Sequence, residues 1–517
     1  MVPTERLRFA EVLAPLSYVT DLGMGEPDGQ ALRATMLAVW LGEMIGLSAA
    51  DLADCYYTSL LRHIGCTATA HEESAFLVPD EIAFRARLAT TDTAQPRNAL
   101  ALMREMLADV PLPSRPSLLV HMVSPGFERN VQHSICEVAA TTARRLALGP
   151  GVERGLYQIS ERWDGRGYPD GLRGADITIP ARLAQACAQL ASLSSAVGAN
   201  AACAAVRERA GGWLDPDIAH LLAGHGAALL AEIDDLDLLE ALPSAEPGLA
   251  RTAAPEDVDS VARVFADLAD LKTTWTHGHS SEVADISERA AAAYGLPAGE
   301  QTTVRRAALL HDLGRVGVPN SIWERRGPLG ATDWERVRLY PYYSERILSR
   351  CPVLVSAARL AGMHRERQDG SGYYRQLTGS AIPPGARLLA AADEYQAMTQ
   401  ARSYRPALAP EKAAAELRRM GAAGRLDTDA VHAVCAAVGA ARESRAVLWP
   451  AGLTDREVEV LRLVARGLSN RAIGVELHIS ARTAEHHVQS VYGKIGLSTR
   501  AGAALFAMEH GMHRPDG

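Results

Sequence analysis

Aromatic residues make up only 5% of the 517-residue chain, and no run is apolar enough for long enough to cross a bilayer. The best candidate, residues 183–206, is interrupted by Gln185, Gln189, Ser192, Ser194, Ser195 and Asn200, and reads as buried or half-buried helix. Cysteine is sparse: seven are scattered along the chain, odd in number and without a C-x-x-C pair, which excludes a zinc knuckle and a disulfide framework. The opening MVPTERLRFAEVL lacks a basic start followed by an apolar run, so the expected location is the cytoplasm, with no membrane partner. A net charge of −8 excludes a chain that coats nucleic acid along its length. What remains is Ala-rich sequence of strong helix formers, with Gly and Pro as punctuation, which predicts an all-α protein of about three domains.

Charge is not uniform. From Leu448 onward there are seven Arg and one Lys against seven acidic residues, a net +1 that leaves −9 for the rest. Any nucleic-acid contact is therefore expected in the tail.

The chain also repeats itself. ERWDGRGYP at 161–169 returns as ERQDGSGYY at 366–374, and at the same offset Ile177 meets Ile382 and the triplet Ala181-Arg182-Leu183 meets Ala386-Arg387-Leu388. Downstream GWLDPDIA (212–219) matches GRLDTDAV (424–431), and upstream LLRHIG (60–65) mirrors LLHDLG (309–314). Two copies of one helical fold stand in tandem.

Only the second copy carries a ligand set: His279, the pair His311-Asp312, His364 and Asp393, in that order. Imidazole and carboxylate suit a divalent transition metal such as Mn or Fe that keeps positions open for water and a phosphate oxygen. The blocks THGHSSEVA, LLHDLGRVGVP, MHRERQDGSGYY and AADEYQAMTQARSYRP resemble the HD-GYP subgroup of the HD phosphohydrolases, metal-dependent enzymes acting on cyclic di-GMP. The resemblance implies that His279, His311, Asp312 and Asp393 are metal ligands. Asp312 and Arg315 are the candidate catalytic residues, Arg315 replacing the family's Lys and still offering positive charge to a phosphate.

Three departures stand out. Tyr340-Pro341 replaces a His-Pro pair, His364-Arg365 replaces two consecutive His, and Gly372-Tyr373-Tyr374 replaces Gly-Tyr-Pro. Two expected ligands of a second metal are missing, so one ion is expected. In the first copy the same alignment sets Gln30 opposite His279, Arg62-His63 opposite His311-Asp312, Ile159 opposite His364 and Ala188 opposite Asp393. That copy reads as a metal site erased within a retained frame, its repeated phrase left as a tight turn.

In the tail, Thr454-Asp455-Arg456-Glu457 is a capping box, Gly467 ends the helix it opens, and Ser469 caps the next. A third helix turns Ala484, Val488, Val491 and Ile495 inward and shows a polar and basic face. LTDREVEVL, GLSNRAI and YGKIGLSTR resemble the LuxR-type helix-turn-helix. The resemblance implies contacts to double-stranded DNA from Arg482, Thr483, Glu485, His486, Gln489, Lys494 and Arg500, by a homodimer reading two half-sites.

The expected order is therefore a degenerate HD-GYP-like domain (1–240), a linker (241–255), an HD-GYP-like domain with a partial metal site (256–438), a linker (439–451) and a four-helix LuxR-type domain (452–512). Two functions stay open: a DNA-binding transcriptional regulator whose HD-GYP-like region senses a nucleotide, such as a cyclic dinucleotide, or another phosphoester; and an active metal-dependent phosphodiesterase with a DNA-binding tail.

Overall fold

Helix N-termini set the frame of this chain, and the computed structural model describes it over residues 7–76, 80–93, 95–108, 125–439 and 449–513. Every regular element among the described residues is helical, with only isolated β-bridges, and no helix there is long and apolar enough to cross a membrane. Two compact units emerge, Met1–Val261 and Ala262–Gly517, so the tail module groups with the second copy.

The duplication is visible element by element. Gln30–Met44 and His279–Tyr294 both follow a glycine at positive φ (Gly29, +86°; Gly278, +71°), where an L side chain is disfavoured. Ala49–Leu60 corresponds to Ala298–Leu310, the short turn Gly174–Asp176 to Gly379–Ala381, and Ile179–Val197 to Pro384–Thr399. Gly198, at φ +84°, splits the run 183–206 into two helices rather than one.

The repeated phrase is stitched by a buried glutamate in each copy. Glu161 accepts the backbone N–H groups of Asp170, Gly171 and Leu172, and Glu366 those of Arg375 and Leu377. Gly167 and Gly372 pass so close to the backbone of those glutamates that a Cβ would lie 2.5 Å from the Cα of Glu161 or Glu366. The phrase recurs because one charge and one close approach define the turn.

Composition misleads at 241–255. Its Pro, Ala and Glu content reads as linker, yet Leu242 and Pro243 are buried in the helix Leu238–Ser244. Tyr56 donates to Leu242 O at 3.1 Å, and Phe9 N to Arg251 O at 2.7 Å. The segment is part of the first unit, because its few apolar side chains and carbonyls find partners there. The inserted stretch after Gly65 contributes the helices Glu81–Thr90 and Pro96–Ala108. VPLPSRPS, and all but the ends of the linker expected at 439–451, lie outside the described residues.

Candidate metal centre and nucleic-acid interface

Helix ends and one mid-helix position bring the five predicted ligands of the second copy together. His279 begins the helix His279–Tyr294, His311 caps Ala298–Leu310, and Asp312 opens the turn Leu313–Gly317. His364 follows Val355–Gly362, and Asp393 lies within Pro384–Thr399. All five are at most 1% exposed. Their donor atoms form two overlapping triads, His279–His311–Asp312 and His311–His364–Asp393, each within 4.8 Å. Among the described residues these are the sole groups able to hold a metal, and both lie in the second copy.

The outer hydrogen bonds aim the imidazoles. His311 Nδ1 donates to Ala308 O at 2.7 Å, His364 Nδ1 to Ala361 O at 2.6 Å, and His279 Nδ1 to Gln396 Oε1. Each ring therefore presents the lone pair of Nε2 inward, the tautomer a metal ligand needs. His279 Nε2 lies 3.2 Å from Asp393 Oδ1, and His311 Nε2 3.5 Å from Asp312 Oδ1. Those four atoms are buried without a hydrogen-bond partner. Lone pairs and carboxylate oxygens packed this closely repel unless a cation lies among them, so the donor set fits a divalent metal.

Electrostatics agree. Burial and the neighbouring His311 and Arg365 side chains push His364 down to about 3, and burial lowers His279, so both imidazoles are neutral at pH 7. Burial opposes ionisation of the two aspartates, but His311, Arg315 and His279 hold Asp312 low, and Arg365, His279 and His311 hold Asp393 well below the usual carboxylate range. Neutral imidazole beside ionised carboxylate is the protonation state that binds metal.

Two of the three departures from the family pattern, Tyr340 and Arg365, meet at this site. Arg365 Nε donates to Tyr340 Oη at 2.6 Å, its Nη2 lies 3.2 Å from Asp393 Oδ2, and Tyr340 Oη donates to His364 Nε2 at 2.8 Å. A guanidinium thus supplies positive charge beside Asp393 where the family pattern expects another imidazole. At the rim Arg315 Nη1 holds Asp312 Oδ2 at 3.0 Å and its guanidinium stacks 4.2 Å from the ring centroid of Trp323.

Sequence reasoning passed over Gln396 and Glu282. Each lies three residues beyond a ligand, Asp393 and His279 respectively, so one helical turn brings it to the same face. That spacing was the available signal. Gln396 Nε2 donates to Glu282 Oε2 at 2.8 Å, and Glu282 Oε1 lies 3.0 Å from His513 Nε2, at the end of the tail module.

In the first copy the counterparts hold no ligand set. Gln30 donates to Ser195 Oγ at 2.7 Å, and Arg62 pairs with Glu26 at 3.0 Å.

The tail module consists of Asp455–Ala465, Asn470–Glu476, Ala481–Ile495 and Arg500–Glu509. Thr454 and Glu457 form the capping box, with Thr454 N donating to Glu457 Oε2 at 2.8 Å, and Ser469, Ser480 and Thr499 cap the helices that follow. Ala484, Val488 and Val491 are buried, whereas Ile495 is half-buried. Arg482, Thr483, Glu485, His486 and Gln489 are exposed on one helix. Lys494 and Arg500 instead hold internal partners: Lys494 Nζ bonds Glu457 Oε2 at 2.7 Å and Gly452 O at 3.0 Å, and Arg500 bonds Leu468 O at 2.5 Å and Asn470 Oδ1 at 3.1 Å.

Burial favours a neutral Glu457, but Lys494, the Thr454 N–H and the Ser490 hydroxyl outweigh it and lower the carboxyl to about 2. A depressed carboxyl contributes stability that is complete above the unfolded value of about 4.5 and fades as pH falls toward 2. Acid unfolding of the module should track this window, and Glu457→Gln should flatten it while costing about 1 kcal/mol from the weakened cap. Circular dichroism melts of residues 449–513 at stepped pH would show this; an unchanged pH profile in the variant would refute the assignment.

Comparison with known proteins supplies the family. The HD domain profile matches residues 128–218 and 263–430, together half of the chain, and that of bacterial regulatory proteins of the luxR family matches 451–507. The 3'3'-cGAMP-specific phosphodiesterase 3 of Vibrio cholerae is 26% identical over 411 residues, 78% of this chain and 89% of that protein. A cyclic di-GMP phosphodiesterase of Thermotoga maritima is 33% identical over 162 residues, 31% of this chain and 44% of that protein. The crystal structure of a cyclic GMP-AMP specific phosphodiesterase of Vibrio cholerae shares the fold, with a TM-score of 0.58 at 21% identity over 84% of this chain and 98% of that one. The chain therefore belongs to the HD domain family, in a tandem arrangement joined to a C-terminal domain of the luxR family of bacterial regulatory proteins.

Proposed function

We propose that this protein is a DNA-binding transcriptional regulator whose second HD copy holds one divalent transition metal and, at it, the phosphoester of a nucleotide ligand, with the tail module reading double-stranded DNA as a homodimer. The observation that carries this reading is the hydrogen-bonded line from His279 through Gln396 and Glu282 to His513. It runs from the outer nitrogen of a candidate ligand, His279, to the last described residue of the module. His513 is held where a Cβ on Gly278, the residue before His279, would come within 2.2 Å of its Nε2. A ligand that draws His279 inward shifts Gln396, and with it the contact that seats the module.

A second reading is favoured by the relatives, which are phosphodiesterases: the site turns its ligand over. A divalent metal in such a site polarises a phosphoryl oxygen and acidifies water. This chain's residues would do the rest. Arg315 at the rim offers charge to a phosphate, Asp312 and Asp393 supply ionised oxygens, and Arg365 balances Asp393 without leaving the pocket. The exposed stripe Arg482, Thr483, Glu485, His486 and Gln489 would face the major groove, and Lys494 and Arg500 would act there through the module's shape.

Footprinting of genomic fragments with the full chain, with and without cyclic dinucleotide, tests the regulator. His513→Ala should leave metal content unchanged and remove the ligand's effect on DNA affinity. A ligand effect that survives this substitution would reject the line as the coupling route, and absence of any site-specific protection would reject the regulator. Turnover of the same dinucleotides, abolished by Asp312→Ala, would establish the second reading.

A further inference from the structure

The first copy has lost its metal ligands but not its pocket. A cavity of about 740 Å³ opens at the equivalent place, and Arg62, His63, Ile159 and Ala188, the counterparts of His311, Asp312, His364 and Asp393, all line it. That volume lies within the range that encloses nucleotide-sized molecules. The walls are mostly apolar, with Phe84, Leu88 and Ile135 among them. Gln132 lines the cavity and His133 does not.

The cavity's charged lining includes Glu26, Glu73 and Glu128, and the first two are matched by Arg62 and Arg85, which keep donors to spare. Arg62 is 3% exposed, and only its Nη2 is engaged, by Glu26. Its Nε and Nη1 are buried without a hydrogen-bond partner. Arg85, 5% exposed, gives Nε to Glu73 and Nη1 to Gly23 O, and its Nη2 has no partner. Three buried guanidinium nitrogens lacking acceptors are costly, and the cost is removed by an acceptor-rich group. Phosphate oxygens, like carboxylates, match the guanidinium fork, and a phosphate brings several acceptors at once. The imidazole beside them stays out of the charge balance: burial and Arg62 press His63 down to about 3. At Arg62 the first copy thus has a fixed cation where the second has a metal ligand, so it can hold an anion but has no means of activating water.

We propose that the first copy is a receptor site that binds a phosphate-bearing nucleotide without hydrolysing it, the phosphate on Arg62 and Arg85 and the base against the apolar wall. This deepens the sensing part of the function proposed above by naming the site, and its test leaves the metal centre aside. The full chain carrying Asp312→Ala, which disables the second copy, is titrated calorimetrically with cyclic di-GMP, cyclic GMP–AMP, GMP and inorganic phosphate. One nucleotide per chain is expected to bind saturably, and Arg62→Ala should weaken it at least about tenfold, the loss of one charge-assisted contact. Ala188→Phe, which fills the cavity and keeps the Arg62–Glu26 pair, should do the same and serves if Arg62→Ala unfolds. No saturable nucleotide binding, binding of inorganic phosphate alone, or binding indifferent to the tolerated substitutions would overturn the proposal. Because the metal centre is already disabled in this background, such a failure leaves the reading of the second copy intact.

Discussion

His311→Ala and Asp312→Ala are each expected to weaken divalent metal binding by about 100-fold or more, since loss of an outer-sphere partner alone costs 10- to 100-fold. The argument rests on how the site is assembled. Three imidazoles are locked into the metal-binding tautomer by Gln396 and two backbone carbonyls, and the inward nitrogens of His279 and His311, with Asp312 Oδ1 and Asp393 Oδ1, have no other partner. His311 belongs to both ligand triads, so its removal breaks both. The apoprotein should also be the less stable form, because binding relieves a buried repulsion. Metal analysis of gel-filtered variants, paired with thermal melts with and without added Mn, would record both effects. Full metal retention by His311→Ala would show that the ion sits elsewhere.

Arg365→Ala should destabilise the metal-free second unit by about 3 kcal/mol, the usual cost of stripping one partner from a buried ion pair. Asp393 Oδ2 would lose a cation 3.2 Å away, Tyr340 Oη would lose its donor, and Glu394, 3.7 Å from the same guanidinium, would lose part of its balance. Added metal should restore part of the loss, since a second positive charge then faces Asp393. The companion experiment replaces Tyr340 and Arg365 together by His, rebuilding the family's pattern, and is expected to raise stoichiometry from one ion to two. Chemical denaturation of the apoprotein and metal titration of the double variant are the measurements. A metal-free Arg365→Ala as stable as the parent would mean that the guanidinium does not replace a metal's charge.

The convergence of His279, His311, Asp312, His364 and Asp393 was legible because type and order carry the information: few patterns place His, His-Asp, His and Asp on helices that must converge. The tandem fold was legible for the same reason, since Glu161 and Glu366 each nail down a turn at equal spacing. Other features depend on distances that sequence does not encode. Arg365 looked like a lost ligand, and only its reach to Asp393 and Tyr340 shows a charge replaced. The contact between Glu282 and His513 spans 231 positions and has no local signature. Lys494 and Arg500 sit in a basic-faced module, yet Lys494 is committed to Glu457, and Arg500 to the Leu468 carbonyl and the Asn470 side chain at the turn between two helices. At 241–255 the chain runs irregularly from Ser244 to Pro255 as its composition suggests, but Leu242 and Pro243 are buried in the preceding helix, which composition does not show. The tail module is a domain of its own by its family match, and it groups with the second copy in one compact unit, where His513 lies 3.0 Å from Glu282.

Metal content of the purified full chain tests the central claim most directly. Elemental analysis after gel filtration, following growth with Mn and Fe supplied, should find one divalent transition metal per chain, lost in Asp393→Ala. Two equivalents would contradict the role given to Arg365, and a chain that takes up none even when titrated with Mn or Fe would contradict the site itself.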